Sequence, residues 1–275
     1  MLAVLQTTLR AMMLLCLPLI IACTPVMRSE KTPGSFAWFD LITDVPAVSQ
    51  SFYSRLFGWQ FAQGRTDNIQ LITNGRILVG GMVTIEDTNE QTPETRWQPV
   101  LSVTDTAAAS TRAQTSGGQQ IGSIFAGPNG TLAAVRDPGG APVTLYDGTE
   151  GIPLGSEPPP GSWVWVDLLT PDPGAAETFY RNVSGFETRV GDRSDTGKFR
   201  VFTSDGKDRG GLIRVSRKQA SHMWLPYVLV ENLGDTIDMA TKLGARLAVR
   251  GGDLAILIDP AGAAFGIAQR PAAPK

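Results

Sequence analysis

The chain has 275 residues, a formal net charge of -2, and 42% hydrophobic against 18% charged residues, a balance that indicates neither disorder nor a multi-span membrane protein. That length suffices for one large domain or two ordinary ones, each able to bury a core. The near-neutral charge argues against nucleic acid and anionic lipid surfaces as partners, since both are held by clustered basic side chains.

Residues 1–23 read as a leader. Arg10 is the one charged side chain there, and Ala11 to Ile21 form an apolar run of the length of a signal h-region. It is shorter than the about 20 apolar residues that cross a bilayer as a helix. The run ends in Ile20-Ile21-Ala22-Cys23, which resembles the lipobox of bacterial lipoproteins, where a small residue precedes the Cys that is lipidated and becomes the new N-terminus. The resemblance implies a membrane anchor through lipid on Cys23 in the bacterial cell envelope. Thr24, where Asp would retain the protein at the inner membrane, implies the outer membrane facing the periplasm. An ordinary signal peptide or an uncleaved anchor is the alternative. Cys16 lies inside the leader, so the body from Thr24 onward has no disulfide, thiol nucleophile or Cys metal site. Residues 24–33, polar with two prolines, form the tether.

An internal repeat follows. Residues 34–43, Gly-Ser-Phe-Ala-Trp-Phe-Asp-Leu-Ile-Thr, match residues 161–170, Gly-Ser-Trp-Val-Trp-Val-Asp-Leu-Leu-Thr, at an offset of 127. The register runs on without a gap through Phe52-Tyr53 on Phe179-Tyr180, Gly58 on Gly185, Pro99 on Pro226 and Gly117 on Gly244. Asp137-Pro138-Gly139-Gly140 returns as Asp259-Pro260-Ala261-Gly262 at an offset of 122. Duplication of one domain explains the pattern. The first copy spans 34–147 and the second 161–270, with a Gly- and Pro-rich linker at 148–160 and a tail at 271–275.

In chain order, residues 36–43 alternate as a strand, with Phe36, Trp38, Asp40 and Ile42 on one face and Ala37, Phe39, Leu41 and Thr43 on the other. A helix begins at Pro46, carries Val48, Phe52 and Leu56 at helical spacing and stops at Gly58. Strands are predicted at 59–62, 69–73 and 77–85. A second cycle has a strand at 100–103, a helix at 107–114, and strands at 120–125, 132–136 and 143–146. Each domain is therefore βαβββ written twice.

That order, with Phe-Tyr and Leu-Phe-Gly-Trp on the first helix and Asp-Pro-Gly-Gly before the last strand, resembles the vicinal oxygen chelate superfamily of glyoxalases, extradiol dioxygenases and bleomycin-resistance proteins. The likeness covers nearly all of 34–270. It implies an α+β fold of two tandem domains, each a pair of βαβββ modules forming a cupped sheet with helices on its convex side. Phe39, Leu41, Val166 and Leu168 supply an apolar face for the helices. Phe-Tyr and Asp-Pro-Gly read as builders of the fold rather than as chemistry.

Enzymes of the superfamily hold a divalent metal on the cup. Carried over by register, the ligand positions fall on Trp38, Gln98 and Thr144 in the first copy and on Trp165, Leu225 and Gly266 in the second. Gln98 alone has ligand chemistry, and one amide oxygen does not hold such an ion. The single histidine, His222, precludes a two-His, one-carboxylate iron set within one chain and reads as a surface or loop residue. No metal ligand, cofactor or catalytic residue is assigned. The candidate ligand-binding residues are Trp38, Asp40, Gln98, Trp163, Trp165, Asp167 and Tyr227, an aromatic wall with carboxylates suited to an apolar or cationic small molecule. Whether the protein is an enzyme stays open. A glyoxalase-like or hydroxylase-like enzyme using Gln98 with Glu86 or Asp87 is the first alternative to small-molecule binding, and an envelope scaffold with a protein partner is the second.

Overall fold

The structure, a computed structural model, describes residues 29–30, 32–64, 66–85, 95–127, 129–152, 157–191, 199–216 and 222–270. A two-residue strand β1 (Ser29–Glu30) precedes the first domain, which comprises β2 (Phe36–Thr43), α1 (Pro46–Phe57), β3 (Gln60–Gln63), β4 (Ile69–Asn74), β5 (Ile77–Thr84), β6 (Arg96–Ser102), α2 (Thr106–Thr115), β7 (Gln119–Gly127), β8 (Gly130–Arg136) and β9 (Pro142–Tyr146). Strand β10 (Glu150–Gly151) then pairs back with β1. The second domain repeats the order: β11 (Trp163–Thr170), α3 (Pro173–Ser184), β12 (Glu187–Val190), β13 (Phe199–Ser204), β14 (Lys207–Arg214), β15 (Met223–Val230), α4 (Leu233–Lys242), β16 (Arg246–Gly251), β17 (Leu254–Ile258) and β18 (Ala264–Gln269).

Each domain forms one eight-stranded sheet, ordered β3-β4-β5-β2-β6-β9-β8-β7 and β12-β13-β14-β11-β15-β18-β17-β16. The two modules of a domain join where their first strands pair antiparallel, β2 with β6 and β11 with β15. Local chemistry places the helices. Pro46 and Pro173 preset the first turns of α1 and α3, and Gly58 and Gly185 end them in the left-handed conformation, at φ 72° and 75°.

The repeat does carry a gap. Asp40 pairs with Gly81 and Asp167 with Gly211, so β14 is displaced by three residues from the constant offset to β5. The second copy has three more residues between β12 and β13 and three fewer between β14 and β15. Both changes fall in connections, where length is tolerated.

One buried cluster spans both domains, and it holds Phe39, Leu41, Val166 and Leu168. The sheets thus stand back to back. Trp163 packs on Phe39 (centroids 5.1 Å apart) and on Trp97 (4.9 Å), α1 packs on α4 and α2 on α3. The other face of each sheet carries Trp38, Asp40 and Gln98 in the first domain and Trp165, Asp167 and Tyr227 in the second.

The Phe-Tyr and Asp-Pro-Gly motifs meet across this interface rather than within one domain. Asp137 and Asp259 use Oδ1 to accept from backbone N–H groups of their own turns. Their Oδ2 atoms accept from the other domain, Tyr180 Oη donating to Asp137 at 3.2 Å and Tyr53 Oη to Asp259 at 2.9 Å. Trp97 and Trp224 donate to those same tyrosine oxygens, at 2.7 and 3.0 Å. Burial, followed by the facing carboxylate, pushes both phenols well above their ordinary value, which keeps them as donors. Burial likewise raises Asp259, against the donors that its turn and Tyr53 supply.

His222 is not a surface residue. Its side chain is 10% exposed, Nε2 lies 2.7 Å from Asp137 Oδ2, and the absent Cβ of Gly139 leaves the space its ring fills. Polarity of the flanking sequence misleads here because the partner lies 85 residues away.

Candidate functional site

On this other face of the first sheet, Asp40 lies opposite Gln98 and beside Gly81. Asp40 Oδ1 accepts from Trp38 Nε1 (2.9 Å) and from the Gly81 backbone N–H (2.9 Å). A Cβ at Gly81 would come within 2.6 Å of that oxygen, so glycine makes the close approach feasible. Burial pushes the Asp40 carboxyl up to about 6, against the two donors. Trp38 meets Tyr146 edge-on at 4.8 Å. Gln98 is buried: Oε1 accepts from Arg96 Nη2 (3.1 Å) and Nε2 donates to Thr144 Oγ1 (2.8 Å).

The second cup repeats the frame with apolar contents. Trp165 Nε1 donates to Asp167 Oδ1 at 2.7 Å, and Asp167 is 1% exposed. Around it, Leu169, Leu225 and Tyr227 form a satellite cluster with Trp165, Ile213, Leu254 and Ile256. A pocket of about 300 Å³ opens there, lined by Trp165, Phe199, Tyr227, Val201, Leu254 and Ala268. Arg189 and Asp208 line it too, joined by two hydrogen bonds of 3.0 and 2.6 Å, and Arg189 holds the Asp208 carboxyl below its ordinary value.

Trp38, Asp40 and Gln98 thus share one such face, and Trp165, Asp167 and Tyr227 the other. Trp163 does not join them. It is 3% exposed in the interdomain core and donates from Nε1 to the Val79 carbonyl at 3.0 Å. A break in strand register between Trp163 and Trp165 turns it to the opposite side, and the same irregularity between Phe36 and Trp38 turns Phe36 into the core. Phe199 and the Arg189–Asp208 pair went unpredicted, as did the room-making glycines. The Gly80-Gly81 and Gly210-Gly211 pairs were visible signals for the last. Cys23, Glu86 and Asp87 lie outside the described residues.

The positions that hold a metal by resemblance do not fit one. In the first cup Gln98 is spent on Arg96 and Thr144. In the second, Leu225 offers no ligand, and at Gly266 a Cβ would lie 2.1 Å from the Tyr227 ring. Among the described residues no three His, Cys, Asp or Glu side chains gather where they could hold an ion.

The back-to-back cups have the fold of the vicinal oxygen chelate superfamily, as comparison with known structures shows. Residues 163–268 match the family model described as a glyoxalase-like domain. The chain is 26% identical over 251 residues to CFP32 of Mycobacterium tuberculosis, which its name assigns provisionally to the glyoxylases, covering 87% of this chain and 96% of that protein. It is 27% identical over 264 residues to the anthracycline biosynthesis protein DauV of Streptomyces sp. strain C5, covering 86% and 94%. Among solved structures, the 2,3-dioxygenase LapB of Pseudomonas sp. KL28 superposes with a TM-score of 0.60 at 12% identity, over 90% of this chain and 96% of that one. The Mn(II)-bound glyoxalase of Novosphingobium aromaticivorans superposes at 0.55 with 15% identity, over 86% and 82%. At such identities the structures speak for the fold alone.

Proposed function

We propose that the chain is a lipid-anchored envelope protein that works without the superfamily metal and holds a small apolar molecule in the pocket of its second domain. The observation that carries the reading is the pocket itself, about 300 Å³ and lined by three aromatic and three aliphatic side chains, with the paired Arg189 and Asp208 beside them. Sites of this make-up bind small organic molecules, and the volume is at the low end of the about 300–1,000 Å³ such sites occupy, which favours a ligand of one or two rings. The lipobox ending at Cys23 supports attachment to the outer membrane facing the periplasm. No nucleic-acid partner is part of this reading.

Native mass spectrometry of the chain, purified gently from the parent bacterium's envelope, tests it. The expected spectrum carries a discrete organic adduct that is absent from Trp165→Ala. One divalent ion per chain would overturn the metal-free reading. It would favour a glyoxalase-like or hydroxylase-like enzyme, the second reading, for which the name of CFP32 speaks. A bare chain would favour an envelope scaffold with a protein partner.

A further inference from the structure

The two cups, copies of one sequence, have opposite chemistry at their centres. In the second, a Cβ on Gly211 would lie 2.0 Å from Asp167 Oδ1 and 2.8 Å from the Phe199 ring, so that ring closes over a carboxylate already buried from solvent. In the first, Ile69 takes the place of Phe199 at the start of β4. The same construction at Gly81 meets Asp40 and a backbone oxygen of Gln70 as its nearest atoms, and no ring among those three. Asp40 stays half-buried and open to the cup.

Among the described residues no cation pairs with Asp40. Its Oδ1 is taken by Trp38 and Gly81, while no hydrogen bond or ion pair among the described residues engages Oδ2. The cation on that face, Arg96, is turned to Gln98. An ionised carboxylate held away from water without a cation is costly, and the elevated value of Asp40 reports that cost. Beside it lies the Trp38 indole, partly buried and fixed by its own N–H and by Tyr146. One carboxylate is too few for a metal ion. A carboxylate beside an indole face instead suits an organic ammonium, through charge and cation–π attraction.

We propose that the cup of the first domain is a second binding site, for a small organic cation whose ammonium head meets Asp40 Oδ2 and whose apolar body lies along Trp38. The site shares no residue with the second-domain pocket, so either reading can fail alone. Calorimetric titration of the full chain with 2-phenylethylamine at pH 7.5, with 2-phenylethanol as the uncharged counterpart, tests it. The expected result is one amine bound per chain, at least about tenfold more tightly than the alcohol. Asp40→Asn, which keeps an oxygen for Trp38 and Gly81, should bring the amine to the level of the alcohol. Equal affinities for amine and alcohol, no amine binding at millimolar concentration, or unchanged amine affinity in Asp40→Asn would each overturn the proposal.

Discussion

Replacing Asp40 by Asn removes a charge and leaves the surrounding hydrogen bonds in place, so its effect on stability isolates the electrostatic cost of that carboxylate. The Asp40 value rises from 3.8 to about 6 because burial penalises the ionised form more than Trp38 Nε1 and the Gly81 N–H restore. A folded-state value above the unfolded one means that the folded chain binds the proton more tightly. The favourable contribution is therefore complete below about 3.8 and is lost as pH rises through about 6. At about 1.36 kcal/mol per pH unit, the cost of the ionised carboxylate reaches roughly 1.6 kcal/mol at pH 5 and levels off near about 3 kcal/mol by pH 7.5. These are ceilings, because the side chain is half-buried and partly screened by solvent. Asp40→Asn should thus be more stable than the parent at both pH values, with the gain larger by up to about 1.4 kcal/mol at pH 7.5. Urea unfolding followed by tryptophan fluorescence reads both differences. A variant that is less stable at both pH values, or whose gain does not grow with pH, would refute the reasoning.

The crosswise Tyr–Asp bonds predict an asymmetry. Tyr53→Phe leaves the buried Trp97 Nε1 and Asp259 Oδ2 without their partner and should cost about 1–3 kcal/mol in urea unfolding. Tyr180→Phe should cost less, because Asp137 Oδ2 keeps His222; equal losses would contradict this. Gly211→Ala drives a Cβ to within 2.0 Å of Asp167 Oδ1 and should cost about 1–3 kcal/mol as overpacking, with a thermal midpoint no lower than the parent's counting against it. Cys23→Ser should move the protein from the membrane fraction to the soluble fraction of fractionated cells, and its retention on membranes would exclude a lipid anchor.

Much of the architecture was legible in the sequence because its signals are local. Alternation in β2 and β11 puts Trp38 with Asp40 and Trp165 with Asp167 on one face, Pro46 and Gly58 bracket a helix, and the repeat itself reveals the duplication. Alternation fails where the pleat breaks. The register shift before Trp165 sends Trp163 into the core, and a shift of that kind depends on how β15 pairs, which no local pattern records. The tertiary structure alone decided the rest. Phe-Tyr and Asp-Pro-Gly read as parts of one domain, yet each joins its partner from the other copy, over 206 residues for Tyr53 and Asp259. The single histidine found its carboxylate in the same way. Two equivalent aspartates also differ in surroundings: Phe199 stands in the second copy where Ile69 stands in the first, an equivalence that the gap in the repeat hides from the sequence. Periodicity and turn chemistry act over a few residues and specify the elements; counter-charges and covering rings come from distant segments and exist only once the sheets have paired and stacked.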